Sequence, residues 1–136
     1  MAVPKQVRRA EAHIRARAEE PLKLAQIAKA AGCSIRALQL AFRTFCGTTP
    51  MAMLRQVRLE RAHAELSERE PGDTTVTEVA VKYGFYHAHR FVQDYRKSFG
   101  QTPSETLRFG PGHRHILRPP ILPSEPSKRA GTTDET

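Results

Sequence analysis

The chain is 136 residues long, enough for one domain or two very small ones, and carries a net charge of +8 with a pI near 10.1. Of its 22 basic and 14 acidic residues, four and three lie beyond Phe109, so residues 1–108 hold 18 against 11; an excess seated there favours a polyanionic partner, nucleic acid first. Two cysteines give neither a disulfide framework nor a metal spacing, no apolar run approaches the ~18 residues of a membrane span, and Met1-Ala-Val-Pro-Lys5 leads into no signal-peptide core, so a reducing cytoplasm is expected, with Cys33 and Cys46 as small buried apolar groups.

Val7, Ala10, Ile14 and Ala18 recur at helical spacing and predict an amphipathic first helix that Pro21 stops. Leu24, Ile27, Ala28 and Ala31 predict a short second helix, broken at Gly32. Ser34 caps a third that runs to about Cys46, with Leu38, Phe42 and Phe45 inward and Gly47 as a left-handed stop. Thr49-Pro50 is an N-cap followed by proline at the first helical position, opening a long fourth helix to about Glu68. Leu59, Ala62 and Leu66 share one face of it, and Arg55, Arg58 and Arg61 lie off that face. After the Pro71-Gly72-Asp73 loop, Thr75-x-x-Glu78 is a capping box for a fifth helix ending at Gly84, whereas Lys23 and Gln26 cap its counterpart less well. The sixth helix covers about 87–99 with Phe91 and Tyr95 inward, and Thr102-Pro103 starts a short seventh. No period-two run survives, so the fold class is all-α with seven helices. Five prolines between Pro111 and Pro126 mark 109–136 as a disordered tail.

The chain also repeats itself. Leu24-Ala-Gln-Ile-Ala-Lys-Ala-Ala-Gly32 returns as Val76-Thr-Glu-Val-Ala-Val-Lys-Tyr-Gly84, an offset of 52. Phe42 through Arg55 returns as Tyr95 through Arg108, an offset of 53, so the second copy holds one extra residue between its turn glycine and Phe91. Each copy is a helix, a glycine turn and a second helix, with Ala28 and Ala80 small enough to let the pair approach. Such a unit presents its second helix to a DNA major groove. In a basic chain this predicts two DNA-reading modules.

Arginine pairs with guanine and glutamine with adenine through two hydrogen bonds each. Arg36, Gln39, His89, Arg90 and Gln93 are therefore candidate base readers, and Ser34 flanks them. Ser34, Lys29, Arg43, Arg55, Lys82, Arg96 and Lys97 suit phosphates, which position a protein without specifying sequence. The aromatics fall at core spacing rather than on a stacking face. His87 and His89 lack further ligands at metal spacing, and no nucleophile elbow, phosphate loop or zinc-hydrolase motif occurs, so neither a metal, a cofactor nor an enzyme is expected. The fourth helix should measure ~27 Å, somewhat under the ~34 Å between successive major grooves, and a spacer of that size is expected to bend the DNA.

Residues 4–108 resemble the DNA-binding domain of the AraC/XylS family of bacterial transcription regulators. The resemblance is densest at Val79-Ala80, Gly84-Phe85, Phe91, Tyr95, Phe99-Gly100, Thr102-Pro103 and Leu107-Arg108, and both Gly-x-Thr-Pro stops support it. It implies a seven-helix bundle: subdomain one at 4–49, a linker helix at 50–68 and subdomain two at 69–108. It also implies operator binding by both reading helices, with base-facing positions at Arg36, Gln39 and Leu40 and at Ala88, His89 and Gln93. Leu40 departs from the arginine that many members carry, and Ala88 is short, so both suit thymine methyls better than hydrogen bonding. The family further implies RNA polymerase as a partner and an effector-binding domain elsewhere in a longer regulator. The isolated domain is expected to be a monomer on double-stranded DNA. Two readings from other classes stay open at this stage: a helical protein-interaction module and a sequence-blind nucleic-acid binder.

Overall fold

The computed structural model describes residues 2–110. Seven helices follow in order: α1 Lys5–Ala16, α2 Leu24–Ala31, α3 Ile35–Cys46, α4 Pro50–Glu68, α5 Val76–Lys82, α6 Ala88–Phe99 and α7 Pro103–Phe109. Among these residues there is no strand, only an isolated pairing of Pro71 with Thr74. Phe109 closes α7, so the chain stays helical one residue further than its composition implies; the remainder of the proline-rich tail, 111–136, lies outside the described residues.

The helix starts follow from their caps. Ser34, Thr49, Thr75 and Thr102 each accept a backbone N–H from three residues on. Glu78 and Glu105 reach back to the N–H groups of Thr75 and Thr102 at 3.1 and 2.8 Å, completing two capping boxes. At α2 only the return half exists: Gln26 Oε1 accepts from Lys23 N–H at 2.7 Å, and lysine has no side-chain acceptor to offer.

Two separate cores form. The first gathers Val7, Ala10, Ile14 and Ala18 with Ile27, Ala28, Ala31, Leu38 and Phe42, closed by Leu54 and Val57 of α4. The second gathers Leu59, Ala62 and Leu66 of the same helix with Val79, Ala80, Tyr83, Phe85, Phe91 and Tyr95. Pro50, also buried, stands with Leu54 and Val57 on one side of α4. At ~100° per residue, that set lies about 150° around the axis from Leu59, Ala62 and Leu66. The buried face of α4 therefore changes sides at Arg58.

The repeat extends N-terminally beyond Leu24. Val7, Ala10 and Ile14 stand 52 residues before Leu59, Ala62 and Leu66, and each trio lines its own core. The first half of α4 in turn matches α7, with Pro50 and Leu54 answering Pro103 and Leu107 at the offset of 53. The fold is two four-helix units, and α4 is both the last helix of the first and the first helix of the second.

Three expectations about burial change. Phe45 is 37% exposed in the last turn of α3, although Cys46 beside it packs partly against the first core. Cys33 and Cys46 are free and only half-buried, at the two ends of the same helix. Phe42, Phe91 and Tyr95 are buried as their spacing requires, and Phe99 packs partly buried on the second core.

Candidate nucleic-acid interface

Each unit holds its reading helix by a glycine turn. Gly32 and Gly84 have φ of +81° and +88°, a region closed to most side chains. The next residues, Cys33 and Phe85, donate their N–H groups back to Ala28 and Ala80 oxygens at 3.1 and 2.8 Å. Those two alanines are buried where the paired helices meet.

On α3, Leu38 and Phe42 point inward. The opposite side, at ~100° per residue, centres on Leu40 with Arg36 and Arg43 on one flank and Ala37 and Thr44 on the other. All five are exposed, Leu40 by 60%. Gln39 lies exposed at the edge of this face. Ser34 uses its hydroxyl oxygen to cap α3, which leaves its hydrogen free to donate.

On α6, Phe91 and Tyr95 point inward, and the opposite side centres on Gln93, with His89, Arg96 and Lys97 beside it. These too are exposed. Arg90 lies on one flank of this face, ~60° from Gln93 and next to Asp94. Ala88, the first residue of α6, is exposed but lies nearer the core side of the helix than the outer side. Residue by residue, the two faces correspond as Arg36 with His89, Leu40 with Gln93, Arg43 with Arg96 and Thr44 with Lys97.

Tyr86, two residues before α6, is 73% exposed. Sequence reasoning left it without a role. Its signal is its place in the segment that holds the extra residue of the second copy.

Two candidate phosphate ligands, Arg55 and Lys82, have carboxylate partners inside the protein. Arg55 donates from Nε to Asp94 Oδ2 at 3.0 Å and from Nη2 to the same oxygen, and its guanidinium lies over the Phe85 ring at 5.3 Å. Lys82 donates to Glu65 Oε1 at 2.9 Å, where Tyr83 also donates at 2.8 Å, and Arg69 reaches Oε2 at 3.2 Å. Burial alone would raise the Glu65 pKa, but these three donors outweigh it and hold the carboxyl below its ordinary range. Burial first, then Glu65, pushes the Tyr83 hydroxyl up to about 12. Lys29, Arg43, Arg96 and Lys97 remain exposed on α2, α3 and α6.

The other two arginines of α4 turn toward the first unit. Arg58 donates from Nε to the Ala18 oxygen at 2.7 Å and from Nη2 to the Glu20 oxygen at 2.6 Å, and Arg61 donates to the Arg15 oxygen. The third guanidinium nitrogen of Arg58 lies against Gly84, where a Cβ would stand 3.3 Å away. Arg58 thus bridges the end of α1 and the turn of the second unit. Behind α6, His63 Nδ1 meets the Tyr95 hydroxyl at 2.7 Å, and that hydroxyl donates to Thr106 Oγ1 at 2.8 Å. His63 also stacks on Phe99, their rings 4.1 Å apart and 8° from parallel. This ties the reading helix to α4 and α7.

The helix-turn-helix domain family matches residues 27–108, across both units. A solved structure described as a probable AraC family transcriptional regulator from Rhodopseudomonas palustris CGA009 is 38% identical, with a TM-score of 0.72 over 76% of this chain and 95% of that one. The chain belongs to the AraC family. Its helix-turn-helix pair is a DNA-binding domain of transcription regulators, not an enzyme. Among curated relatives, the probable thc operon regulatory protein of Rhodococcus erythropolis is 42% identical over 110 residues, which cover 81% of this chain and 33% of that protein. The XylDLEGF operon transcriptional activator 3 of Pseudomonas putida is 40% identical over 90 residues, covering 66% of this chain and 27% of that protein. The chain thus spans about a third of the length of these relatives. Among the described residues, no helix is long and apolar enough to cross a membrane.

Proposed function

We propose that this domain reads an asymmetric operator as a monomer, with α3 and α6 in adjacent major grooves on one face of the duplex. The observation that carries this reading is the pair of exposed basic faces, built on one frame and carried by one shared helix. Arg36 and Leu40 read bases in the first half-site, the latter through a thymine methyl; His89, Arg90 and Gln93 read the second. Gln39 and Ala88 touch the margins of the two sites. Ser34, Arg43, Arg96 and Lys97 hold phosphates, joined by the Tyr86 hydroxyl. Lys82 can join them by exchanging Glu65 for a phosphate, whereas Arg55 serves to fix α6.

Helix α4 has 19 residues and so measures ~28 Å, which supports a bend in DNA that spans ~34 Å between groove centres. Bending a site of that length costs of order 1–6 kcal/mol. The likeness to operon transcriptional activators of P. putida supports RNA polymerase as a second partner and the cytoplasm as the location.

Gel shifts over a salt series test the reading. A footprint over two adjacent major grooves that survives competitor DNA is the expected result. Equal binding to every sequence would reduce the domain to a sequence-blind binder, and no binding at low salt would leave an interaction module. Unchanged mobility in a circular-permutation assay would remove the bend alone.

A further inference from the structure

One acid stands at the edge of the second reading face. Asp94 on α6 is half-buried, and its Oδ2 takes both contacts from Arg55 of α4. The same oxygen lies 3.7 Å from Nε of Arg90, one turn earlier on α6, whose side chain is 70% exposed. A carboxylate at a polyanion-binding surface repels its ligand. Asp94 is nevertheless held in place by the half-buried Arg55 of α4 and lies beside the outer Arg90.

The contact to Arg90 runs through Nε. It leaves the terminal Nη1–Nη2 pair for a partner, and that fork matches the two acceptors of guanine. A free arginine side chain loses rotamer freedom on binding. A partner that already restricts Arg90 removes part of that cost. The first copy gives an internal comparison: Arg90 corresponds to Ala37 and Asp94 to Ala41, so the arginine and the aspartate are absent together.

We propose that Asp94 is a positioning residue for base recognition: anchored on the shared helix through Arg55, it steadies Arg90 for a guanine in the second half-site. This rests on Arg90 being a base reader.

The test begins with the 136-residue chain selecting its site from a random-sequence duplex library. Affinities for that site, for each single base-pair change in it, and for unrelated DNA are then measured with wild type, Asp94→Ala, Arg90→Ala and the double variant. Alanine suits the position, since Ala41 fills it in the first unit; Asp94→Asn, which removes the charge at constant size, decides the matter if Asp94→Ala melts. The expected result has two opposite signs. Loss of Asp94 strengthens binding to unrelated DNA, yet lowers the preference at the base pair read by Arg90 about 2- to 5-fold, the range of a half-exposed ion pair. In the Arg90→Ala background it lowers that preference no further. A uniform loss across all base pairs makes Asp94 a merely structural residue, and a uniform gain makes it a merely repulsive one; either overturns the proposal. If Arg90→Ala relaxes no base pair, or the chain selects no motif, the underlying reading fails first.

Discussion

Arg58 sits where the buried face of α4 changes sides, and its removal tests whether the two units are braced or merely strung together. The Nε contact to the Ala18 oxygen at 2.7 Å is half-buried, and the Nη2 contact to the Glu20 oxygen at 2.6 Å is exposed. A hydrogen bond from a charged donor contributes ~1.5–3 kcal/mol when sheltered and less in water, so the pair is worth about 2 kcal/mol. Burial lowers the Arg58 pKa, a sign of desolvation, but arginine stays charged at any working pH. For a domain of about 100 residues, 1 kcal/mol moves the melting temperature by ~4–8 °C, so Arg58→Ala should lower it by about 10 °C. Arg58→Lys restores less than half, because one ammonium cannot serve both carbonyls and rest on Gly84 as well. Thermal melts followed by circular dichroism measure this. A shift under about 2 °C for Arg58→Ala would refute the brace, and full rescue by lysine would show that charge alone matters.

Other variants probe the same frame. Gly84→Ala forces an L-residue to φ +88° and sets a Cβ 3.3 Å from Arg58, whereas Gly47→Ala at φ +68° meets open space. The first should cost ~2 kcal/mol and the second ~1 in urea unfolding, and equal losses would remove the contact with Arg58 from the account. Tyr95→Phe keeps the ring packing but takes the hydroxyl from between His63 and Thr106, a loss of ~1–2 kcal/mol by the same measurement; a change near zero would mean the polar chain adds nothing. Burial holds the His63 pKa below its ordinary 6.5, so the folded state prefers the neutral ring and the unfolded chain takes the proton more readily. Stability is then complete well above about pH 6.5, falls as the pH drops below that toward the folded value, and levels off beneath it. His63→Gln should flatten the unfolding midpoint between about pH 7 and pH 5, and an unaltered slope would assign the dependence to other groups.

The helices were legible because local rules determine them. Caps at Ser34, Thr49, Thr75 and Thr102 and stops at Gly47 and Gly100 lie within a few residues of the ends they define. The double membership of α4 was not legible by the same means. Its apolar residues form two short stripes on nearly opposite sides, and a search for one stripe finds only Leu59, Ala62 and Leu66. The destinations of long side chains were hidden for a different reason. Arg58 meets Ala18 from 40 residues away and Arg55 meets Asp94 from 39, and helical periodicity says that such groups leave the core face without saying where they end. Phe45 shows the opposite: its spacing is that of Leu38 and Phe42, yet it stands 37% exposed in the last turn of α3.

Within the frame, inside and outside answer to different constraints. Positions such as Ala28 and Ala80 or Leu38 and Phe91 must fill a core, so the copies agree in kind. Arg36 and His89 or Leu40 and Gln93 face outward, where the fold tolerates any residue, and the copies differ. If recognition resides in the outer set, it should be portable between units. A chain carrying Arg36→His, Ala37→Arg, Leu40→Gln and Thr44→Lys presents the second face on α3 while every buried residue stays in place. It should select a direct repeat of the second half-site at a spacing of ~10–10.5 base pairs in place of an asymmetric site. Ala41 is left untouched because it packs partly against the first core. The transplanted arginine therefore has no aspartate beside it, and its base pair should be the least sharply read of the new half-site. A first half-site that keeps its wild-type sequence after the graft would mean that the frame, and not the outer face, does the reading.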